Sequence, residues 1–116
     1  MTRLIVCLLV LFLTACADAA TETPLDDAAR DYVRMALEIG TYEKDYVDAY
    51  YGPPEWRTEA EARPRTIPEL KAEAARIHAG LGAIDPGALE PLQRARRAWL
   101  AVHVTSAQTR LDMIGG

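Results

Sequence analysis

The chain has 116 residues and a mass of 12.8 kDa, with 17 acidic residues, 13 basic residues and a formal charge of −4. These values exclude a multidomain protein, a collagen, a disulfide scaffold and a strongly basic nucleic-acid binder. Half of the residues are hydrophobic, but Met1 to Ala15 hold a disproportionate share and alanine dominates the remainder, so one thin core is all the chain can build. It contains no asparagine and therefore no N-glycosylation acceptor.

The first element is an address. Arg3 is followed by an unbroken apolar run from Leu4 to Leu13, about half of the ~20 residues that span a bilayer. Length and basic flank fit the apolar region of a secretory signal. The run ends in Leu13-Thr14-Ala15-Cys16, which resembles a bacterial lipoprotein signal at every position. A branched apolar residue stands three places before the cysteine, small residues precede the cut, and the Cys16 thiol is the acceptor for a diacylglyceryl group. The alternative is an ordinary signal peptide with a chance cysteine near its cut site.

The expected division is therefore a signal peptide over 1–15, a lipidated Cys16 with a flexible linker over 16–23, and a helical domain over 24–116. Cys7 lies in the discarded part, which leaves Cys16 as the sole cysteine of the processed chain, with no disulfide partner. Lipidation, with palmitate-type chains, explains a lone thiol in an oxidising compartment. Ala17 rather than aspartate follows the cysteine. In a host with two membranes this favours the periplasmic face of the outer membrane. In a host with one, the chain would sit on the outer face of the cell membrane. The partner expected first is thus the membrane itself, through Cys16.

Behind the linker, four helical segments and no strand are expected, giving an all-α fold: a small antiparallel bundle of three to four helices. The first runs from Pro24 to Ile39. Thr23 is its cap, Asp26 and Asp27 favour its positive end, and Gly40 is its stop. Its core face is expected to hold Leu25, Ala29, Tyr32, Val33, Ala36 and Leu37. The second covers Tyr42 to Tyr51, with Tyr42, Tyr46 and Tyr50 as an aromatic stripe, and Gly52-Pro53-Pro54 ends it. A further turn or two restarts at Pro54 and stops by Ala62. The third runs from Ile67 to Leu81 behind a Thr66/Glu69 capping box, with a seam of Leu70, Ala74, Ile77, Leu81 and Ile84. After an Asp85-Pro86-Gly87 turn, the longest helix extends from Leu89 to Ile114. Leu92, Ala95, Trp99, Val102, Ser106 and Met113 form its expected core face, broadened by Leu100, Val104, Leu111 and Ile114. So wide an apolar arc exceeds what three helices cover, and the Gly115-Gly116 end reads as a lead into another element. Both point to the N-terminal part of a larger protein.

Chemistry-bearing motifs are sparse. His78 and His103 stand on different helices without a second ligand at helical spacing, so no metal and no cofactor is expected. Ser106, the only serine, lacks a nucleophile-elbow context and reads as a packing residue. Glu59, Glu61, Glu69 and Glu73 read as solvated carboxylates. Arg94, Arg96 and Arg97 form a basic patch suited to a solvated face, to lipid headgroups or to an acidic neighbour. No catalytic residue is assigned, and no nucleic-acid partner. The segment Tyr46 to Trp56 is the unusual one. Tyr42, Tyr46, Tyr50, Tyr51 and Trp56 combine apolar area with hydrogen-bonding tips, which makes them candidates for a ligand or domain contact, or for a self-packed helix end.

Tyr46 to Trp56, with Leu37-Glu38-Ile39-Gly40 before it and the stretch from Thr109 to Gly115 at the end, resembles the N-terminal helical region of a group of uncharacterised bacterial lipoproteins. Longer members of that group carry a metallopeptidase-like His-Glu motif in a mostly helical later part. The motif is absent here, so the resemblance transfers no catalytic residue. It implies a non-catalytic helical accessory or interaction module on the envelope. The alternative is that the chain is the N-terminal fragment of a zinc-dependent peptidase-like hydrolase whose catalytic part lies elsewhere.

Overall fold

The computed structural model describes residues 21–116, and the signal-peptide and Cys16 readings lie outside them. Among the described residues there are four α-helices and no strand. They are α1 (Pro24–Tyr42), α2 (Pro54–Ala62), α3 (Ile67–Gly82) and α4 (Pro91–Gly115), with a 3₁₀ turn over Pro86–Ala88.

Two helix starts follow the same local chemistry. The Thr23 hydroxyl accepts from the Asp26 amide at 3.2 Å, while the Asp26 carboxylate accepts from the Thr23 amide at 3.1 Å. At α3 the reciprocal pair is Thr66 and Glu69, with distances of 3.3 and 2.8 Å. Each box satisfies two amides that the helix leaves unpaired, and each is followed by a proline in the first turn, where its missing N–H costs nothing.

The core is a single cluster contributed by α1, α3 and α4. Met35, Ile39, Leu70, Ala74, Val104, Ala107 and Leu111 have no solvent exposure at all. The α3 seam of Leu70, Ala74, Ile77 and Leu81 is buried as its spacing predicts. α2 is more peripheral: Ala60 is its one buried residue, and it rests on α1.

Several sequence expectations are overturned. α1 does not stop at Gly40 but continues to Tyr42. Its fully buried core residues are Leu25, Ala28, Met35 and Ile39; of the other expected residues Ala29 and Tyr32 pack against the cluster from its edge while Val33 and Ala36 do not, because α1 packs on both α3 and α4 and Met35 and Ile39 meet them there. Leu37 is buried outside the main cluster, next to Val47.

The segment from Tyr42 to Tyr51 is not a helix: α1 ends at Tyr42, and a turn and an irregular stretch with bends follow. Tyrosine is a middling helix former, an isolated segment this short nucleates poorly, and Gly52-Pro53-Pro54 blocks propagation. Tyr46 gains more by packing against the core edge.

In α4 the core is the broadening side of the expected arc, and the face named first is exposed. Leu100, Val104, Ala107 and Leu111 are buried, while Leu92 is 78%, Trp99 53%, Val102 63% and Met113 67% exposed. Leu100, Val104 and Leu111 are therefore not a docking arc for a missing part. Trp99 is exposed, and Trp56 is the half-buried tryptophan.

Candidate functional site

Two clefts flank α1, and they differ in chemistry. The first is ionic and lies between α1, α2 and the start of α3, with a volume of about 440 Å³. Glu38 is buried at its floor and accepts from the Arg65 amide at 3.1 Å and from Arg65 Nε at 3.0 Å. Arg65 also approaches Glu73 at 3.4 Å. Arg76 bridges Asp31 at 2.9 Å and Glu73 at 2.5 Å, and these two carboxylates hold its guanidinium well above its ordinary pKa, Glu73 more strongly. Arg34 pairs with Glu59 and lies over the Trp56 ring at 5.5 Å. The Tyr42 hydroxyl donates to the Arg65 carbonyl at 2.6 Å.

Asp31, Glu38, Glu59 and Glu73 each meet an arginine here, with Arg63 the lining cation outside these pairs, so the cleft is a clamp joining three helices. Glu59 is exposed as expected, though paired with Arg34, whereas Glu73 is a member of the clamp rather than a solvated carboxylate. For Glu73 the correction is large, since its side chain is only 13% exposed.

The second cleft is apolar, about 620 Å³, and lies between α1, the segment after it, and α4. Tyr32, Val33, Ala36 and Leu37 form one wall, Tyr46 to Tyr50 the second, and His103 and Ser106 the third. Burial pushes the Tyr46 hydroxyl up to about 12, and raises that of Tyr32, so both stay neutral at physiological pH.

Tyr50 is positioned by the unusual glycine–proline sequence. Its hydroxyl donates to the Pro53 carbonyl at 2.8 Å, and Arg57 sits 5.6 Å from its ring centroid. A Cβ on Gly52 would lie 2.6 Å from the Tyr50 hydroxyl oxygen and 2.8 Å from its ring carbons, so only glycine leaves room for the ring to fold back.

On the α4 wall, the His103 ring stacks on Trp99 with centroids 3.6 Å apart and planes 19° apart, and Tyr32 meets both edge-on at 6.3 and 6.0 Å. His103 Nδ1 donates to the Trp99 carbonyl at 2.8 Å.

Of the five residues that sequence reasoning marked for contact, only Tyr46 and Tyr50 reach this cleft. Tyr42 and Trp56 belong to the ionic clamp, and Tyr51 is 95% exposed and apart from both. Once the segment is not helical, no stripe joins Tyr42, Tyr46 and Tyr50. Ser106 is an exposed residue of the cleft wall rather than a packing residue. Tyr32, Val33, Ala36 and His103 were missed as site residues. Their only sequence signal was an apolar α1 side with a tyrosine-rich return segment close behind it.

Among the described residues no group of three His, Cys, Asp or Glu side chains is placed to hold a metal ion. None of their helices is long and apolar enough to cross a membrane. No family model, no curated protein and no solved structure matches the chain.

Proposed function

We propose that the chain is a lipid-anchored bacterial envelope protein whose helical domain is a non-catalytic interaction module, and that the apolar cleft is its contact site. The observation that carries this is the cleft's chemistry. It is walled by Tyr32, Tyr46, Tyr50, Val33 and Val47, with Asp48 as its only carboxylate among the described residues. Aromatic and aliphatic walls with a few polar tips suit an inserted apolar side chain of a protein partner. General acid–base or metal-assisted hydrolysis instead needs converging charged groups beside a bound water, and beside His103 the cleft lining offers one carboxylate, Asp48, with the tyrosines Tyr32, Tyr46 and Tyr50. The Leu13-Thr14-Ala15-Cys16 lipobox supports the envelope location.

Both halves are testable in cells. Cys16→Ser should abolish fatty-acid labelling and release the chain from the membrane fraction or leave it unprocessed; normal processing and unchanged retention would refute the anchor. A photo-crosslinker at Ala49, on the cleft wall, should give a discrete protein adduct that Tyr46→Ala removes. A crosslinker at exposed Ala72 on α3 should not. The same adduct pattern from both positions would refute the cleft as the contact site.

A further inference from the structure

α4 carries a second apolar face that the bundle leaves uncovered. Leu92, Ala95, Trp99, Val102, Ser106 and Met113 fall on one side of the helix, roughly opposite Leu100, Val104, Ala107 and Leu111. From Leu92 to Met113 the stripe runs about 30 Å at ~1.5 Å per residue. Single exposed apolar residues are ordinary, but Leu92, Ala95, Trp99 and Val102 align into one patch, with Met113 beyond Ser106 and Thr109.

The charge on this helix is also unlike that of the rest. α4 holds Arg94, Arg96, Arg97 and Arg110 against Asp112 alone, in a chain of net charge −4. Arg96 is matched by Asp26 at 2.7 Å and Arg110 by Glu43 at 2.8 Å. The second pair lies off the donor's N–H line and is an ion pair rather than a hydrogen bond. Arg94 and Arg97 instead donate to neutral carbonyl oxygens, of Pro86 and Leu89 and of Leu81. Both side chains thereby turn toward the Pro86–Leu89 turn and the end of α3, away from the Leu92–Trp99–Val102 side, and leave that side without a charged residue of their own.

The tether arrives at that same end. Thr23 and Pro24 share a crevice with Leu89 and Gln93, and the Asp26–Arg96 pair ties the first turn of α1 to α4. From Ala17 to Thr23 the chain reaches at most about 25 Å when extended. A lipid on Cys16 therefore holds the bilayer within reach of Leu92 and Trp99.

We infer that the outward face of α4 lies on the membrane that anchors the chain, with Leu92, Trp99 and Val102 at the boundary of headgroups and acyl chains. The inference rests on the lipid-anchor reading. Tethering converts weak interfacial binding into an intramolecular step, so a short stripe suffices, and an indole suits the headgroup level. Because His103 stacks on Trp99 and also lines the apolar cleft, docking sets that cleft at a fixed height beside the bilayer.

The test uses the full chain purified from membranes, with Trp56→Phe so that Trp99 is the only tryptophan. It is placed in phosphatidylethanolamine–phosphatidylglycerol vesicles with and without lipids brominated near the headgroup. Mass spectrometry reads the state of Cys16. The expected result is a blue-shifted Trp99 emission quenched about twofold or more by the brominated lipid, with Trp56 in the Trp99→Phe protein left largely unquenched. Leu92→Asp with Val102→Asp, both at exposed positions, should keep the helical circular dichroism and lose the quenching.

A lipidated chain whose Trp99 is quenched no more than Trp56 overturns the docking and leaves the anchor standing. An unmodified Cys16 with Trp99 still quenched by excess vesicles overturns the anchor and leaves the docking standing; an unmodified Cys16 with Trp99 unquenched overturns both. A blue shift that grows with protein concentration in the Cys16→Ser protein, without vesicles, assigns the face to a second copy and overturns the docking.

Discussion

α3 and α4 form the most extensive helix pair in the molecule, yet they present different problems. α3 has one apolar seam, Leu70, Ala74, Ile77 and Leu81, set among Glu69, Lys71, Glu73 and Arg76, and only one orientation buries it. α4 has two apolar stripes, and orientation decides which becomes core. The buried stripe is the one with smaller side chains. Val104 and Ala107 let α4 approach α1 and α3 closely, where Met35, Ile39 and Leu70 already fill the space. Turning the Trp99 stripe inward would overpack that interior. Periodicity therefore locates apolar faces, and volume complementarity among the partners chooses between them.

The sharpest way to break this comparison is a pair of charges two residues apart. Val104→Asp places an unpaired carboxylate in a site with no solvent exposure, at a cost of several kcal/mol, and should abolish the cooperative thermal transition. Val102→Asp on the other stripe should leave the melting temperature within a few degrees. If Val102→Asp also unfolds the domain, the assignment of the two faces is wrong.

Truncations give a graded version. Leu111→Ala should cost about 2–5 kcal/mol in denaturant unfolding, whereas Trp99→Ala should cost much less, because its ring stacks only on His103 and Tyr32 at the surface. Equal losses would mean that Trp99 is part of the core.

Glu38→Gln tests the clamp on the other side of α1. Loss of charge-assisted bonds to Arg65 should cost about 1–3 kcal/mol, tempered by the partial exposure of Arg65. A neutral result would show that the arrangement of α1, α2 and α3 owes nothing to it.

The smallest effect expected is acid-dependent. Hydrogen bonds from Arg96 first, and then from Thr23, lower the Asp26 carboxyl from 3.8 to about 2. Because the folded value lies below the unfolded one, this stabilisation is complete above about pH 4 and fades as pH falls toward 2. Melting temperatures between pH 5 and 2 should fall less steeply for Asp26→Asn than for the parent, and identical slopes would remove Asp26 from the account of how α1 is tied to α4.

Most of the local grammar was legible in the residues. Thr23 with Asp26, and Thr66 with Glu69, announce two helix starts, and Asp85-Pro86-Gly87 announces the turn before α4. The candidate site was much less legible. Tyr46 and Tyr50 carried a signal because aromatic residues beside Gly-Pro-Pro are unusual, but Tyr32 and His103 looked like ordinary helix residues until α1 and α4 brought them together. Treating Tyr42 to Tyr51 as a helix also grouped Tyr42 with the wrong neighbours. Its hydroxyl bonds a backbone carbonyl 23 residues away, a partner that no local pattern reveals.

What the amino-acid order determined by itself is short-range: the capped helix starts, the proline stops, the all-helical class and the single seam of α3, each set by hydrogen bonds or steric limits within a turn or two of chain. The tertiary structure alone decided which stripe of α4 is core, that the tyrosine segment folds back instead of coiling, and that Glu38, Arg65 and Glu73 meet in one clamp. Those outcomes depend on how the volumes and charges of distant segments fit together. Such fits are properties of pairs of surfaces, so they are settled only when α1, α3 and α4 compete for the same interior space.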